Sequence, residues 1–238
     1  MVQWSLMDLK NTITDSYGGE QVKLISPSLE SIFQNQDFAR YHYSELNRLV
    51  EEHFEGLEDK QDYLKLILTN DADVRNKEHN YGIAYKANIM ALLKNLHSIS
   101  DLLAHAIYFA LGLNLKEQTR INPKYLNLKK VIDKLVNING ASDLVDDLNA
   151  LTSHEDNIYL NSLVNHSKHR SNIVPNLSYE LEKTGIDAYK FSFQEFDYGE
   201  ISYGSKLVKP FLKNMYNYQS KSIINIGNKL NSLAKNTC

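Results

Sequence analysis

Cysteine is almost absent from this sequence: the only one, Cys238, is the last of the 238 residues. An internal disulfide and a cysteine metal cluster are therefore excluded, and nothing in the cysteine content points to an oxidising compartment. Long apolar runs are also missing, since the longest, Ala104 to Leu115, contains His105 and Asn114 and is too short to span a bilayer. The opening residues MVQWSLMDLK lack the pattern of a signal peptide. We therefore expect a cytoplasmic protein that does not enter a membrane.

Glycine-containing catalytic motifs and closely spaced pairs of metal-binding residues are also missing. The sequence contains no Gly-rich phosphate loop, nucleophile elbow or kinase motif, which argues against nucleotide triphosphate hydrolysis and acyl transfer. No Glu-x-x-His or His-x-x-x-His pair occurs, and His166 and His169 lie three residues apart without an adjacent carboxylate. We expect no metal and no other cofactor, with a metal centre as the competing interpretation for an enzyme.

Hydrophobic periodicity predicts a mainly α fold. Apolar residues make up 42% of the chain, and they recur at helical spacing from about residue 74 to about residue 113. Beyond Arg170 the apolar period changes to 2, which is typical of strands, and Pro210 then lies in the first turn of a last helix that reaches about Ala234.

We predict a helical bundle with a small antiparallel β-hairpin or meander inserted before the last helix, at about residues 173–204. The weak pattern of residues 1–27 predicts an irregular N-terminal arm, and Pro27 ends it. No Pro-, Gly- or Ser-rich linker follows, so residues 28–238 are expected to form a single domain.

The charges are distributed unevenly along the chain. Glu200 is the last acidic residue, and the part of the chain up to it holds 20 of the 26 basic residues and all 29 acidic ones. The six basic residues that follow are Lys206, Lys209, Lys213, Lys221, Lys229 and Lys235. They alternate with apolar residues of core type, so we favour a basic helix packed on an acidic neighbour over a polyanion partner.

The segment Ile158 to Arg170, IYLNSLVNHSKHR, concentrates more chemically capable side chains than any other stretch. On a helix, Leu160, Leu163, Val164 and Ser167 share one narrow apolar stripe that can dock on a core. The polar residues outside that stripe are Asn161, Asn165, His166, Lys168, His169 and Arg170.

LVNHSKHR resembles the corresponding helix of HEPN-domain proteins, an all-helical superfamily that includes ribonucleases, toxins of toxin–antitoxin pairs and anti-phage effectors. The family signature is an arginine, a polar residue that is often asparagine, three more residues and a histidine. Asn165 and His169 match this signature, and Val164 stands at the arginine position. The resemblance implies a homodimer that binds RNA or a nucleotide, and at its furthest a metal-independent endoribonuclease of a toxin–antitoxin or antiviral defence system.

In such an enzyme His169 would move protons around the attacking 2′-hydroxyl, Lys168 or Arg170 would neutralise phosphate charge, and Asn165 would orient His169. Because Val164 can neither hold a phosphate nor stabilise charge, both cleavage and binding without cleavage stay open.

Four further residues are candidates for substrate binding: His166 and Asn161 beside the motif, and His97 and Asp101 on the long helix. An aspartate that accepts a hydrogen bond from His97 would fix the tautomer of that ring, and both residues could border the same groove as the motif. The alternative interpretation is a polar rim between packed helices, in a non-catalytic dimerisation or interaction module. The sequence identifies no antitoxin or other protein partner.

Overall fold

The computed structural model describes residues 3–57, 60–180, 182–183 and 185–237. Its helices are α1 (Leu6–Tyr17), α2 (Gly19–Phe54), α3 (Lys60–Ile67), α4 (Ala72–Ala110), α5 (Leu128–Leu135), α6 (Ser142–Ser153), α7 (Glu155–His169) and α8 (Val208–Thr237). Its strands are β1 (Asn176–Tyr179), β2 (Tyr189–Phe193), β3 (Phe196–Tyr198), β4 (Ile201–Tyr203) and β5 (Lys206–Leu207). The predicted mainly α fold, with a small antiparallel sheet before the last helix, is confirmed.

The strands form two small antiparallel groups. One is a sheet in the order β1-β2-β5, in which Leu177 faces Phe191 and Phe193 faces Lys206. The other is the hairpin of β3 and β4, in which Phe196 faces Tyr203. Gly199, with φ +66°, lies in the turn of this hairpin, as the turn chemistry of Tyr198-Gly199 indicates.

The chain divides into two compact units. The first comprises Met1–Asp37, Asn95–Ile158 and Met215–Cys238, and the second comprises Phe38–Lys94 and Tyr159–Asn214. The first unit has a large aliphatic core to which α1, α5 and α6 contribute, together with parts of α2, α4 and α8. In the second unit, Phe54, Ala188 and Tyr189 form the centre of a smaller, more aromatic cluster.

The irregular arm predicted for residues 1–27 is wrong, because α1 and the start of α2 are regular helices with core side chains. Ser5 caps α1, its hydroxyl accepting a hydrogen bond from the Asp8 amide at 3.3 Å. Leu9 and Ile13 are fully buried. Pro27 does not end a segment but lies inside α2, where it removes one backbone hydrogen bond that the burial of neighbouring apolar residues offsets.

Helix α4 runs without interruption through Gly82. A Cβ at Gly82 would meet nothing within 4 Å. Within the described ranges, no helix combines the length and the apolarity that crossing a bilayer would require.

Candidate functional site

The apolar stripe predicted for α7 lies in the core. Leu160 and Leu163 are fully buried and Val164 is 1% exposed. The helix begins after His154, whose Nδ1 accepts a hydrogen bond from the Asp156 amide at 3.2 Å. Position 164, where the HEPN signature has an arginine, is therefore a core position in this chain.

The polar residues at the end of α7 fall into two groups. Lys168 and His169 are exposed, and neither side chain forms a hydrogen bond or an ion pair with any residue that the structure describes. Arg170 instead donates from Nη1 to the carbonyl of Asp197 at 3.3 Å, and its guanidinium lies 6.0 Å from the centroid of the Tyr198 ring. Lys168 and His169 are thus open to solvent, whereas Arg170 is held against the β3–β4 hairpin.

His166 and the two asparagines do not complete a catalytic arrangement. The Nδ1 of His166 is hydrogen-bonded to the carbonyl of Ser171 at 2.9 Å. Asn161 and Asn165 are half-buried, and their side chains have no hydrogen bond to another described residue, so Asn165 does not hold His169. The roles assigned to these residues from the resemblance stay predictions.

The surroundings of this helix end carry both signs of charge. An open depression of about 450 Å³ is lined by His166 and Arg170 and also by Glu195 and Asp197. In addition, the last carbonyls of a helix attract cations rather than anions, so basic residues in the last turn of α7 have a structural explanation. Any phosphate bound here would depend on Lys168 and His169.

His97 and Asp101 lie on α4, in the part of that helix that belongs to the first unit. His97 is half-buried and has a contact of its own. Asp101 is exposed and has no hydrogen bond or ion pair with another described residue, so it does not fix the tautomer of His97. The motif residues belong to the second unit, and the shared groove stays a prediction.

One of the six C-terminal lysines packs on an acidic helix, as the sequence indicated. The Nζ of Lys229 lies 2.8 Å from the carboxylate of Asp147 on α6, and it donates to the carbonyl of Asp143 at 3.0 Å. Lys206 lies over an aromatic ring, with its Nζ 5.0 Å from the centroid of Tyr159. In the described part of the chain, no three His, Cys, Asp or Glu side chains come together as a potential metal site.

The first unit also carries a basic surface that the sequence analysis did not predict. We name it the Tyr125 surface. It consists of Tyr125 and the basic side chains Arg120, Lys124, Lys130 and Lys134. Between Lys116 and Lys134 there are only two acidic residues, Glu117 and Asp133. None of these four cations forms an ion pair with any residue in the described ranges, although Arg120 donates to the carbonyl of Asn114 at 3.3 Å and Lys134 to that of Gln118 at 2.9 Å.

Tyr125 is the exposed aromatic group of this surface. Its side chain is 51% exposed, and the Nζ atoms of Lys124 and Lys130 lie 5.6 and 4.6 Å from its ring centroid. The concave surface beside it has a volume of about 740 Å³, and Arg120 and Lys134 are among its lining residues. An exposed ring among unpaired cations is suited to a ligand that carries both flat bases and phosphates.

The loop that carries Tyr125 is held in place by buried and capping hydrogen bonds. The hydroxyl of Tyr108, which is 4% exposed, accepts a hydrogen bond from the Ile121 amide at 2.9 Å. Asn122 caps the turn Pro123–Tyr125 by accepting from the Lys124 amide at 3.0 Å. Asn127 caps α5 by accepting from the Lys130 amide, also at 3.0 Å. The position of the ring is therefore set by the fold before any ligand binds.

A signal for this surface was present in the sequence. KEQTRINPKYLNLKKVIDK is a basic stretch with a single aromatic residue in an overall acidic chain. What the sequence could not show is that Tyr125 is exposed, since a tyrosine ahead of an amphipathic helix is as easily a core residue.

A second missed feature is an amphipathic pocket of about 370 Å³ in the second unit, which we name the Tyr85 pocket. Its lining includes Tyr43, Asn47, Glu51, Tyr85, Phe191 and Lys209. The rings of Tyr85 and Phe191 are packed together, with centroids 4.0 Å apart and planes inclined by 31°. Burial, and after it the nearby Tyr43, raises the pKa of Tyr85 well above its ordinary value, so its hydroxyl stays protonated.

Comparison with known proteins adds no family to these observations: no family model, no curated protein and no solved structure matches the chain.

Proposed function

We propose that this chain is a cytoplasmic RNA-binding protein that holds a single strand at the Tyr125 surface without cleaving it. The observation that carries the proposal is the exposed ring of Tyr125 among cations that have no ion-pair partner. Elsewhere on the protein, exposed cations such as Arg48 are already paired with carboxylates, at 2.9 Å from Glu45 and 2.6 Å from Glu52. At the Tyr125 surface, cations without an ion-pair partner therefore lie beside an exposed aromatic ring.

A single strand suits this surface better than a duplex. Lysine and arginine neutralise phosphates, and an exposed ring gains free energy by stacking on a base that is not already stacked in a helix. Tyr125 lies in a turn that Asn122 caps, so the backbone that carries the ring is already ordered. Binding a strand therefore requires little further loss of conformational entropy in this turn.

The state of the motif helix supports binding without cleavage. Val164 occupies the arginine position and is buried, and His169 has no side chain holding its ring in one orientation. General acid–base chemistry on a phosphodiester needs both a positioned proton carrier and a group that stabilises phosphate charge. The HEPN resemblance stays a prediction, and with it the roles in toxin–antitoxin or antiviral systems.

The end of α7 is the second candidate contact for phosphate, because Lys168 and His169 are exposed and without partners among the described residues. Two basic side chains without a neighbouring aromatic ring would add affinity for phosphate but no base stacking. We therefore assign this helix end a supporting role.

The test is a fluorescence anisotropy titration of a labelled single-stranded RNA of mixed sequence at low salt. Tyr125→Ala should weaken binding roughly ten-fold, since stacking contributes about 1–3 kcal/mol per base. Lys124→Ala combined with Lys130→Ala should weaken binding by at least as much. The matched control, Lys168→Ala combined with Arg170→Ala, also removes two positive charges and should have a smaller effect.

The alternative function is a non-catalytic interaction module that forms a homodimer. Exposed aromatic side chains on α2 support it, since Phe38 is 53% and Tyr41 is 61% exposed. Analytical ultracentrifugation of the wild type and of Phe38→Ser combined with Tyr41→Ser tests it. A dimer that this variant dissociates, in a protein that binds no RNA, would favour the alternative and contradict the RNA proposal.

A further inference from the structure

The Tyr85 pocket has an uncharged interior and a charged rim. Its buried lining includes Leu46, Tyr85, Val208 and Leu212, of which Leu46 and Tyr85 are the most exposed, at 5% each. The exposed residues of the lining carry the charges and include Glu51, Asp187 and Lys209. A ligand that fits must therefore have a neutral, largely apolar part and a polar part that stays near water.

Inside the pocket, one hydroxyl group forms no hydrogen bond with the protein. The hydroxyl of Tyr85 has no hydrogen-bond partner among the described residues, although the residue is 95% buried. The hydroxyl oxygen is not among the fully buried polar atoms without a partner, so it is open to the pocket that Tyr85 lines. Since this hydroxyl stays protonated, it can donate to an acceptor on a ligand such as a ring nitrogen or a carbonyl oxygen.

An amide lies beside the same part of the pocket. The Nδ2 of Asn47 donates to the carbonyl of Tyr43, one helical turn earlier, at 3.1 Å. Burial raises the pKa of the Tyr43 hydroxyl, and the nearby Asn47 amide partly opposes that rise. A side-chain amide carries both donors and acceptors, which is the combination that reads the edge of a heterocyclic base.

The charges of the rim disfavour a phosphate. Lys190 is already paired with Glu180, which leaves Lys209 as the lining cation without a partner among the described residues. Glu51 and Asp187 both lie on the same rim. Carboxylates accept hydrogen bonds from hydroxyl groups but repel a phosphate, so the polar part of the ligand should be rich in hydroxyls.

We propose that the Tyr85 pocket binds an unphosphorylated nucleoside, with its base inside against Tyr85 and Phe191 and its ribose at the rim near Glu51. A nucleobase is planar and uncharged, and it has hydrogen-bond acceptors along its edge. Aromatic side chains can stack on any of the bases. The pocket volume of about 370 Å³ is in the range of small-molecule sites. The site lies entirely within the second unit and does not depend on the Tyr125 surface.

The rival occupant is an aromatic amine, whose ammonium group would be attracted by the same carboxylates. The two ligands differ in what they require of the rim. Glu51→Gln combined with Asp187→Asn keeps oxygens that accept from ribose hydroxyls, so nucleoside affinity should fall less than about three-fold. An amine would lose both of its opposite charges and should bind far more weakly to that variant.

The experiment is isothermal titration calorimetry of the full chain with adenosine, guanosine, cytidine and uridine, and with adenosine monophosphate and tyramine as comparison ligands. We expect saturable binding of at least one nucleoside, and weaker binding of adenosine monophosphate than of adenosine. Tyr85→Phe keeps the ring and removes only the hydroxyl, so it should weaken nucleoside binding about five-fold. Tyr198→Phe makes the same change outside the pocket lining and should leave binding unaltered.

The proposal is overturned if no nucleoside binds, if Tyr85→Phe binds as tightly as the wild type, or if tyramine binds more tightly than every nucleoside. Thermal unfolding of each variant should match the wild type, which shows that a loss of binding does not reflect a loss of fold. Tyr85→Phe should leave RNA affinity unchanged, and Tyr125→Ala should leave nucleoside affinity unchanged. Failure of either proposal is therefore separate from failure of the other.

Discussion

At the scale of single residues, burial decides which side chains of this protein can do chemistry. Val164 is in the core, whereas Lys168 and His169, a few positions later on the same helix, are exposed. His53 shows the same effect on a titratable group. Its imidazole stacks on Tyr81 at 3.6 Å between parallel rings, and burial lowers its pKa to about 4.

Placing the arginine of the HEPN signature at position 164 should unfold this chain rather than activate it. Val164→Arg places a charge at a position that is 1% exposed, and an unpaired buried charge destabilises a fold by more than about 3 kcal/mol. Ile158→Arg is the matched control on α7, because Ile158 is 42% exposed and should tolerate the change within about 0.5 kcal/mol. Urea denaturation measures both. A stable Val164→Arg protein that degrades RNA would show that the resemblance extends to catalysis.

His53 should make the fold sensitive to mild acid. Its lowered pKa means that the unfolded chain binds the proton more readily, so stability is lost as the pH falls below about 6.5 towards 4. Between pH 7.5 and pH 5 the loss should be about 2 kcal/mol. The Nε2 of His53 lies 3.2 Å from a carboxylate oxygen of Glu78, but burial outweighs that attraction and also raises the pKa of Glu78, which opposes part of the loss.

His53→Phe keeps a ring on Tyr81 and cannot titrate, so it should lose much of this pH dependence. Urea unfolding of the wild type and the variant at the two pH values measures the difference. His79→Phe, at an exposed position, is the control and should behave like the wild type. Equal pH dependence in the wild type and in His53→Phe would contradict the account.

At the scale of elements, close approach between helices matters more than helix propensity. The indole of Trp4 lies against α8 at Gly227, where a Cβ would come within 2.1 Å of the ring. The ring is fixed there, because its Nε1 donates to the Oδ1 of Asn231 at 3.0 Å and Asn231 donates to the Ser5 carbonyl at 2.8 Å. The N-terminal segment is thus attached to the last helix by one aromatic residue and one amide.

Two glycines in long helices should therefore respond in opposite directions to alanine. Gly227→Ala should destabilise the protein by about 3 kcal/mol, because the added methyl group overlaps a ring that cannot move freely. Gly82→Ala should stabilise it by about 1 kcal/mol, because nothing lies near that position and alanine is the better helix former. Thermal unfolding of both variants tests this, and a neutral Gly227→Ala would contradict the contact.

The elements also show which parts of the fold the sequence predicts. Long runs with clear periodicity, such as α4 and α8, and the alternation of Tyr189, Phe191 and Phe193 in β2, are recovered because one face of each is buried. Helix α1 and the start of α2 were missed because tertiary packing on Leu9 and Ile13 stabilises a segment whose own pattern is weak. Whether a tyrosine is exposed, like Tyr125, or enclosed in a pocket lining, like Tyr85, depends on tertiary packing. The sequence pattern therefore could not predict it.

At the scale of the whole molecule, net charge is a poor guide to binding. The chain carries a net charge of −3, yet six basic and two acidic residues lie between Lys116 and Lys134. By contrast, the depression at the end of α7 is of mixed sign, because Arg170 and Glu195 both line it. A polyanion would therefore be bound by a local basic surface and not by the net charge of the chain. The homodimer that the resemblance implies stays a prediction.

The most direct test of RNA binding at the Tyr125 surface is the salt dependence of the affinity for a single-stranded RNA. For roughly four phosphate contacts, the slope of log affinity against log salt should be about −3, at about 0.7 per contact. Lys124→Ala combined with Lys130→Ala should reduce the magnitude of this slope by about 1.4, and Lys168→Ala combined with Arg170→Ala, which also removes two charges, should change it less. A slope near zero, or one that only the second pair of substitutions reduces, would contradict the account.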